Sequence, residues 1–140
     1  MKKDDVSRIM TSHVFSVNID DSLKEVRSLL NKHKIRHVPV VKDKSLVGII
    51  SRTDINRLTF SGMYDDQEDA DDAVFEMLSI SQVMTHKPKV VKQSDAIKKV
   101  AEVFASSEFH ALPVVADDNK TELVGIITTT DVIKYMLTLL

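Results

Sequence analysis

The sequence predicts an α+β fold of two tandem β-α-β-β-α repeats packed about an internal pseudo-twofold axis. Three observations lead there. A shift of 74 residues places Val6-Ser7-Arg8-Ile9-Met10-Thr11 on Ile80-Ser81-Gln82-Val83-Met84-Thr85, and Val38-Pro39-Val40-Val41 on Leu112-Pro113-Val114-Val115. The stretch from Leu46 to Ile55, Leu-Val-Gly-Ile-Ile-Ser-Arg-Thr-Asp-Ile, returns from Leu123 to Val132 as Leu-Val-Gly-Ile-Ile-Thr-Thr-Thr-Asp-Val. Between these strands apolar residues recur at helical spacing. A repeat on this scale is one supersecondary unit written twice. It divides the chain into a first repeat, 1–58, an acidic linker with a short helix, 59–79, and a second repeat, 80–140, together one globular module.

Taken in order, Phe15-Ser16-Val17 reads as a short strand and Asp20-Asp21-Ser22 offers helix N-caps. Leu23, Val26, Leu29 and Leu30 then give the next helix one apolar face. Val38 to Val41 is a strand whose Pro39 has no N–H to donate, which marks an edge or a place where the ladder opens. Leu46 to Ile50 is a continuous apolar run of the kind buried on both faces, and Thr53 or Asp54 should cap the last helix. The second repeat follows suit with Lys89 to Val91, a cap at Ser94, a helix carrying Ile97, Val100, Ala101 and Phe104, and the strands Leu112 to Val115 and Leu123 to Ile127. A three-stranded sheet with helices on one side leaves an apolar face to cover, and the other copy is the expected cover.

Composition narrows the function. With 140 residues, 43% of them hydrophobic, the chain can bury one ordinary core or two small ones. A net charge of −2 gives no general reason to expect nucleic acid. The absence of cysteine excludes disulfides, thiolate metal sites and a cysteine nucleophile together. The charged opening, Met1-Lys2-Lys3-Asp4-Asp5, precedes no apolar run, so no signal peptide or membrane span is expected and the location should be cytoplasmic.

The Met-Thr opening of each repeat, the apolar-Pro-Val-Val strand and the Gly-Ile-Ile-Ser/Thr-x-x-Asp signature occur twice, in the same order. In these features the chain resembles a pair of CBS domains, the modules first named from cystathionine β-synthase. The resemblance implies a sensor that holds an adenosine ligand, AMP, ADP or ATP, or else S-adenosylmethionine or NAD, in clefts between the repeats. No further cofactor is required.

The residues suit such a ligand. Asp54 and Asp131 stand just beyond a strand, where a carboxylate can accept from both ribose hydroxyls; each could equally be a helix cap. Ser51, Thr53, Thr128 and Thr130 place hydroxyls beside a helix start, whose N–H groups and dipole favour phosphate, though an ordinary turn uses them too. Pro39 and Pro113 leave nearby backbone groups outside the ladder, able to read an adenine edge. The repeats differ before the proline, with Arg36-His37 in one and His110-Ala111 in the other. In the family, basic residues here contact phosphate, as in the regulatory subunit of AMP-activated protein kinase. Arg36 offers a permanent forked charge and His37 and His110 a pH-dependent one; a solvated strand end is the other reading of Arg36.

His33 and His37 have the spacing of a helical metal pair, but His37 falls on the next strand and no third ligand is evident. His13 and His86 read as surface residues, and nothing resembles a nucleophile elbow, so enzymatic activity is not expected. From Leu58 to His86 there are seven acids and no Lys or Arg, leaving 19 basic against 14 acidic residues elsewhere; linker and body should attract each other. Ala70, Ala73, Val74, Met77 and Leu78 predict a short amphipathic helix packed on the second repeat, and a Ca²⁺ or Mg²⁺ site is the alternative use of these acids. The final helix, with Val132, Ile133, Met136, Leu137 and Leu140, has more apolar surface than one stripe needs, and Leu29 and Leu30 are its candidate neighbours. Pairs in the family associate as flat discs of two chains. The reading is therefore a nucleotide-binding regulatory module, signalling through its own homodimer or an effector protein, without membrane or nucleic acid. The alternative is a structural dimerisation module with no ligand.

Overall fold

The computed structural model describes residues 4–59 and 67–140. Asp65 and Asp66 of the acidic stretch, and the side chains of Glu68, Asp69 and Ala70, lie outside that description. The chain forms two compact units, Phe15–Lys87 in one and Met1–Val14 with Pro88–Leu140 in the other.

In the Phe15–Lys87 unit the order is β1 (Val17–Asn18), α1 (Leu23–His33), β2 (His37–Lys42), β3 (Ser45–Ser51), α2 (Arg52–Asn56), α3 (Gln67–Met77), α4 (Ile80–Val83) and β4 (Thr85–His86). β1 runs parallel to β2, β2 antiparallel to β3, and β4 closes antiparallel on β3. Ser22 caps α1 by accepting from the Glu25 N–H at 3.2 Å, and Leu23, Val26 and Leu30 form its buried face. The α1 stripe meets Val38, Val40 and Ile50 from the sheet in one core. The β2–β3 turn places Asp43 and Lys44 at φ 50° and 69°, the left-handed pair of a two-residue hairpin.

Pro39 is not on an edge strand: β2 lies between β1 and β3. Yet pairing with β1 begins only at Val40, so the proline sits where that ladder opens, and Pro113 stands in the same relation to Val114 and β5 (Val91–Lys92). Along β3 only Gly48 and Ile50 are fully buried, so the apolar run is less enclosed than its composition predicts.

α3 packs on α1 of the first repeat, and its Phe75 shares a core with Ile80 and Met84, the opening residues of the second repeat. Its buried face carries Asp71 and Phe75, with Leu78 beyond its end half-buried, while Met77 is exposed. The reason is the charge: Arg27 and Lys24 on α1 meet Asp72 at 2.6 and 3.8 Å, Lys24 meets Glu76 at 2.9 Å, and Arg27 lies over the Phe75 ring. The expected attraction between linker and body is thus directed to α1.

The other unit begins with a 3-10 turn at Val6–Arg8 and continues, after β5, with α5 (Ile97–Ser106), β6 (Ala111–Ala116), β7 (Asn119–Thr128) and α6 (Thr129–Leu137). Its opening residues complete the domain. Asp4 gives its carbonyl to the Ile97 N–H at 2.7 Å, Val6 donates to Asp95 at 2.8 Å and enters the core, and Thr11 exchanges two 2.9 Å bonds with Ile126. The Asp4 carbonyl is what satisfies the head of α5, whose N-cap is Ala96 without a side-chain bond. Ser94 is not the cap; it bonds Asp117 through its N–H and hydroxyl.

Each unit therefore seats one repeat's Met-Thr on the other repeat's glycine strand. A Cβ on Gly48 would fall on the Met84 sulfur and 2.9 Å from the Thr85 carbonyl oxygen, and one on Gly125 would meet Met10 and the Thr11 carbonyl in the same way. Both glycines are required by close approach.

Candidate functional site

The strand-to-helix junctions have the same geometry in both units. At β3–α2 the N-cap is Ser51, which accepts from the Asp54 N–H at 3.1 Å while Asp54 Oδ2 accepts from the Ser51 N–H at 2.9 Å. At β7–α6 Thr128 and Asp131 make the same pair at 3.1 and 3.0 Å. These are capping boxes. The expectation that Thr53 or Asp54 is the cap is corrected: the hydroxyl of the last strand residue reaches the third N–H, and the aspartate three on reciprocates. Thr53 and Thr130 are exposed beside these junctions. One oxygen of each carboxylate is committed to the box. Asp54 Oδ1 lies 3.7 Å from the Arg57 guanidinium, whereas Asp131 has no ion pair among the described residues.

The segments before the prolines lie against these junctions. His37 is the cross-strand partner of Ser51, and the Arg52 N–H donates to the Arg36 carbonyl at 2.7 Å. In the second repeat Ala111 faces Thr128, and the Thr129 N–H donates to the His110 carbonyl at 3.0 Å. The structure thus brings Arg36, His37, Ser51, Thr53 and Asp54 together in one unit, and His110, Thr128, Thr130 and Asp131 in the other. The Arg36 side chain is exposed and in no ion pair among the described residues. Pro39 and Pro113 are buried two and three residues further along their strands, opposite Ile49 and Ile126.

Asp131 also opens onto a groove of about 380 Å³ lined by Arg8, Ile9, Lys134, Tyr135 and Thr138. One side is tied by the Tyr135 hydroxyl, which donates to Asp4 at 2.7 Å; that hydrogen bond, lost on ionisation, holds the phenol above its usual range, with desolvation and the Asp4 charge adding to it. Sequence reasoning missed this wall, since Asp4 and Tyr135 are 131 residues apart. It also missed Arg52, whose guanidinium bonds the Leu30 and Ile35 carbonyls at 2.7 and 3.2 Å and Asn31 Oδ1 at 3.0 Å. The difference between Arg52 and Thr129 at equivalent positions was the available signal.

His33 ends α1 and stacks on Phe15, with ring centroids 3.7 Å apart, while His37 starts β2. Among the described residues no three His, Asp or Glu side chains are grouped to hold a metal, and no helix is long and apolar enough to cross a membrane.

A scan against protein-family models matches the CBS domain at residues 6–60 and 80–138, and the chain belongs to that family. It is 31% identical over 127 residues to MJ1225 of Methanocaldococcus jannaschii, an uncharacterized protein, covering 90% of this chain and 45% of that one. A CBS domain-containing protein of Dictyostelium discoideum is 25% identical over 136 residues, 96% of this chain and 92% of its own. Among solved structures, CBSX2 in complex with AMP superposes with a TM-score of 0.78 at 26% identity, over 96% of this chain and 97% of that one. The same comparison with the CBS-pair protein CBSX2 from Arabidopsis thaliana gives a TM-score of 0.81. The chain spans less than half of MJ1225 but nearly all of the other two.

Proposed function

We propose that this CBS pair is a regulatory module that binds an adenosine ligand, AMP, ADP or ATP ahead of S-adenosylmethionine or NAD, and reports its presence through its own dimer or an effector protein. One observation carries the reading: in each unit an aspartate held by a capping box stands against the segment before the proline, in a chain that superposes on an AMP complex over 96% of its length. The remaining carboxylate oxygen can accept from ribose hydroxyls. The Ser51 and Thr128 hydroxyls, used as acceptors in the boxes, keep their own hydrogens to donate to phosphate. Arg36 supplies positive charge beside Ser51, with His37 next to it in the chain, and His110 stands beside Thr128 with ring nitrogens able to hydrogen-bond phosphate. No group is placed for catalysis in this reading, and a cytoplasmic location fits the cysteine-free composition.

Calorimetric titration of the chain with AMP, ADP, ATP, NAD and S-adenosylmethionine tests it. Binding of an adenine nucleotide should raise the unfolding free energy by about 2.7 kcal/mol at a hundredfold excess over Kd. Should none of the five produce heat or move the melting temperature at millimolar concentration, the sensor reading fails. The structural dimerisation reading would then stand, favoured by the exposed apolar face of α6.

A further inference from the structure

The two half-sites differ in how the turn before the proline is held. In the first repeat α1 ends at His33, Lys34 takes a left-handed conformation with φ 53°, and the Lys34 and Ile35 N–H groups both return to the Leu30 carbonyl. Arg52 then reaches across from the head of α2. Its fork donates to Leu30 and Ile35 carbonyl oxygens on either side of the turn and to Asn31 Oδ1, while its backbone N–H holds the Arg36 carbonyl at 2.7 Å. A guanidinium suits this place: it has several donors in one plane, and the end of α1 presents carbonyl oxygens and the negative end of the helix dipole. In the second repeat Thr129 keeps the backbone bond to His110 and has no side-chain bond among the described residues. The hydroxyls of Ser106 and Ser107 turn back onto carbonyls of their own helix at 2.8 and 2.6 Å, and residues 105–110 are all exposed.

We infer that Arg52 is the positioning residue of the first half-site: it clamps the turn carrying Arg36 onto the head of α2, so that a phosphate-bearing adenosine ligand meets a preformed site in the Phe15–Lys87 unit and a looser one in the other. The inference rests on the adenosine reading above. Arg52 acts through Arg36, and the capping box holds Ser51 and Asp54 without it. Its loss therefore falls on the phosphate and leaves the nucleoside largely alone, which a merely structural residue would not do. Holding the turn before binding removes an ordering cost that the ligand would otherwise meet.

The test is calorimetry of the full chain with AMP and with adenosine, on wild type, Arg52→Thr, Arg52→Lys, Arg36→Ala and the Arg36→Ala/Arg52→Thr double variant. Arg52→Thr gives the first repeat the residue of the second, and should weaken AMP roughly tenfold and adenosine less than about threefold, a difference near half of one hydrogen bond to a charged group. Arg52→Lys, still able to reach one carbonyl, should recover most of the AMP affinity and controls for folding. The double variant should bind AMP no more weakly than Arg36→Ala alone, because the two residues act in series. Equal losses for AMP and adenosine, additive losses in the double variant, or an unchanged Arg52→Thr beside a wild type that binds AMP would each overturn the role of Arg52 alone. A wild type that binds neither ligand would overturn the adenosine reading and the role together.

Discussion

At the scale of single residues, the aspartates of the repeated signature have one role in the fold and a second in the proposed function. Asp54 and Asp131 close their capping boxes, so Asp54→Ala removes a helix-end acceptor along with the proposed ligand contact. It should lower stability by roughly 1 kcal/mol and weaken an adenine nucleotide by about 1.5–3 kcal/mol. Asp54→Asn keeps an acceptor for the Ser51 N–H, so in a denaturant titration it should recover the stability while calorimetry still shows the binding loss. If Asn and Ala bind alike and melt alike, the two jobs are not separable. Gly48→Ala and Gly125→Ala each put a methyl into a Met sulfur and a backbone carbonyl. The carbonyls cannot give, and each substitution should lower the unfolding free energy by about 1–3 kcal/mol in a denaturant titration. The signature was legible because it is written twice. That its glycines are matched to the Met-Thr of the opposite repeat was not, since a shift of the sequence upon itself shows likeness and never contact. Ser51 was likewise readable as a hydroxyl at a helix start, but choosing it over Thr53 as the cap requires the φ and ψ of the junction.

Among the elements, α3 shows where periodicity misleads. The apolar positions Ala70, Ala73, Val74, Met77 and Leu78 suggest one stripe, yet Ala73 and Met77 are exposed, Val74 and Leu78 are half-buried, and the buried positions are Asp71 and Phe75. A helix was legible but not its ends, and its docking on α1 follows charge, with Arg27 and Lys24 collecting Asp72 and Glu76. These contacts give the docking a pH dependence. The Arg27 hydrogen bond, with Lys24 adding its charge, holds the Asp72 carboxyl below the usual carboxylate range. A depressed pKa contributes in full above the unfolded value and is lost as pH falls through the folded one. Lys24 is raised above its usual value by its bond to Glu76, so its contribution is present below the ordinary lysine range and is lost as pH rises through the raised value. The protection of the α3 amides against exchange, corrected for the intrinsic rate at each pH, should therefore be high near neutrality and fall below about pH 4. In Asp72→Asn that protection should already be low at pH 7 and change little on acidification; an α3 in that variant as protected as in wild type would show that the ion pairs do not hold it. Because these groups are partly open to solvent, added salt should weaken the docking as well.

For the whole molecule the open matter is what covers α6. Val132 is its buried contact with the core, while Ile133, Met136 and Leu137 are 56%, 52% and 62% exposed and Leu139 and Leu140 extend the apolar surface beyond the helix end. A soluble monomer seldom leaves such residues contiguous in water, and a closed twofold of identical faces is the commonest way to bury them. The sequence showed the excess of apolar residues, but it also offered Leu29 and Leu30 as neighbours. Leu30 lies inside the core of its own unit and Leu29 is half-buried against it, so α1 has at most one of them to give and the proposed interface would be centred on α6. Sedimentation at micromolar concentration should therefore give a mass near twice the 15.7 kDa of one chain. Leu137→Glu puts a charge at the centre of the face without touching the Val132 contact, so this variant should run as a monomer with an unchanged circular dichroism spectrum. Val132→Ala is the counterpart: it hollows the core, and should lower stability by about 1–3 kcal/mol while leaving the dimer face in place. If occupancy is reported through this interface, an adenine nucleotide must shift the association constant of wild type, and by reciprocity dimerisation must shift nucleotide affinity by the same factor. A monomeric wild type at all concentrations would sink the dimer, and a dimer whose association ignores the nucleotide would leave an effector protein as the route for the signal.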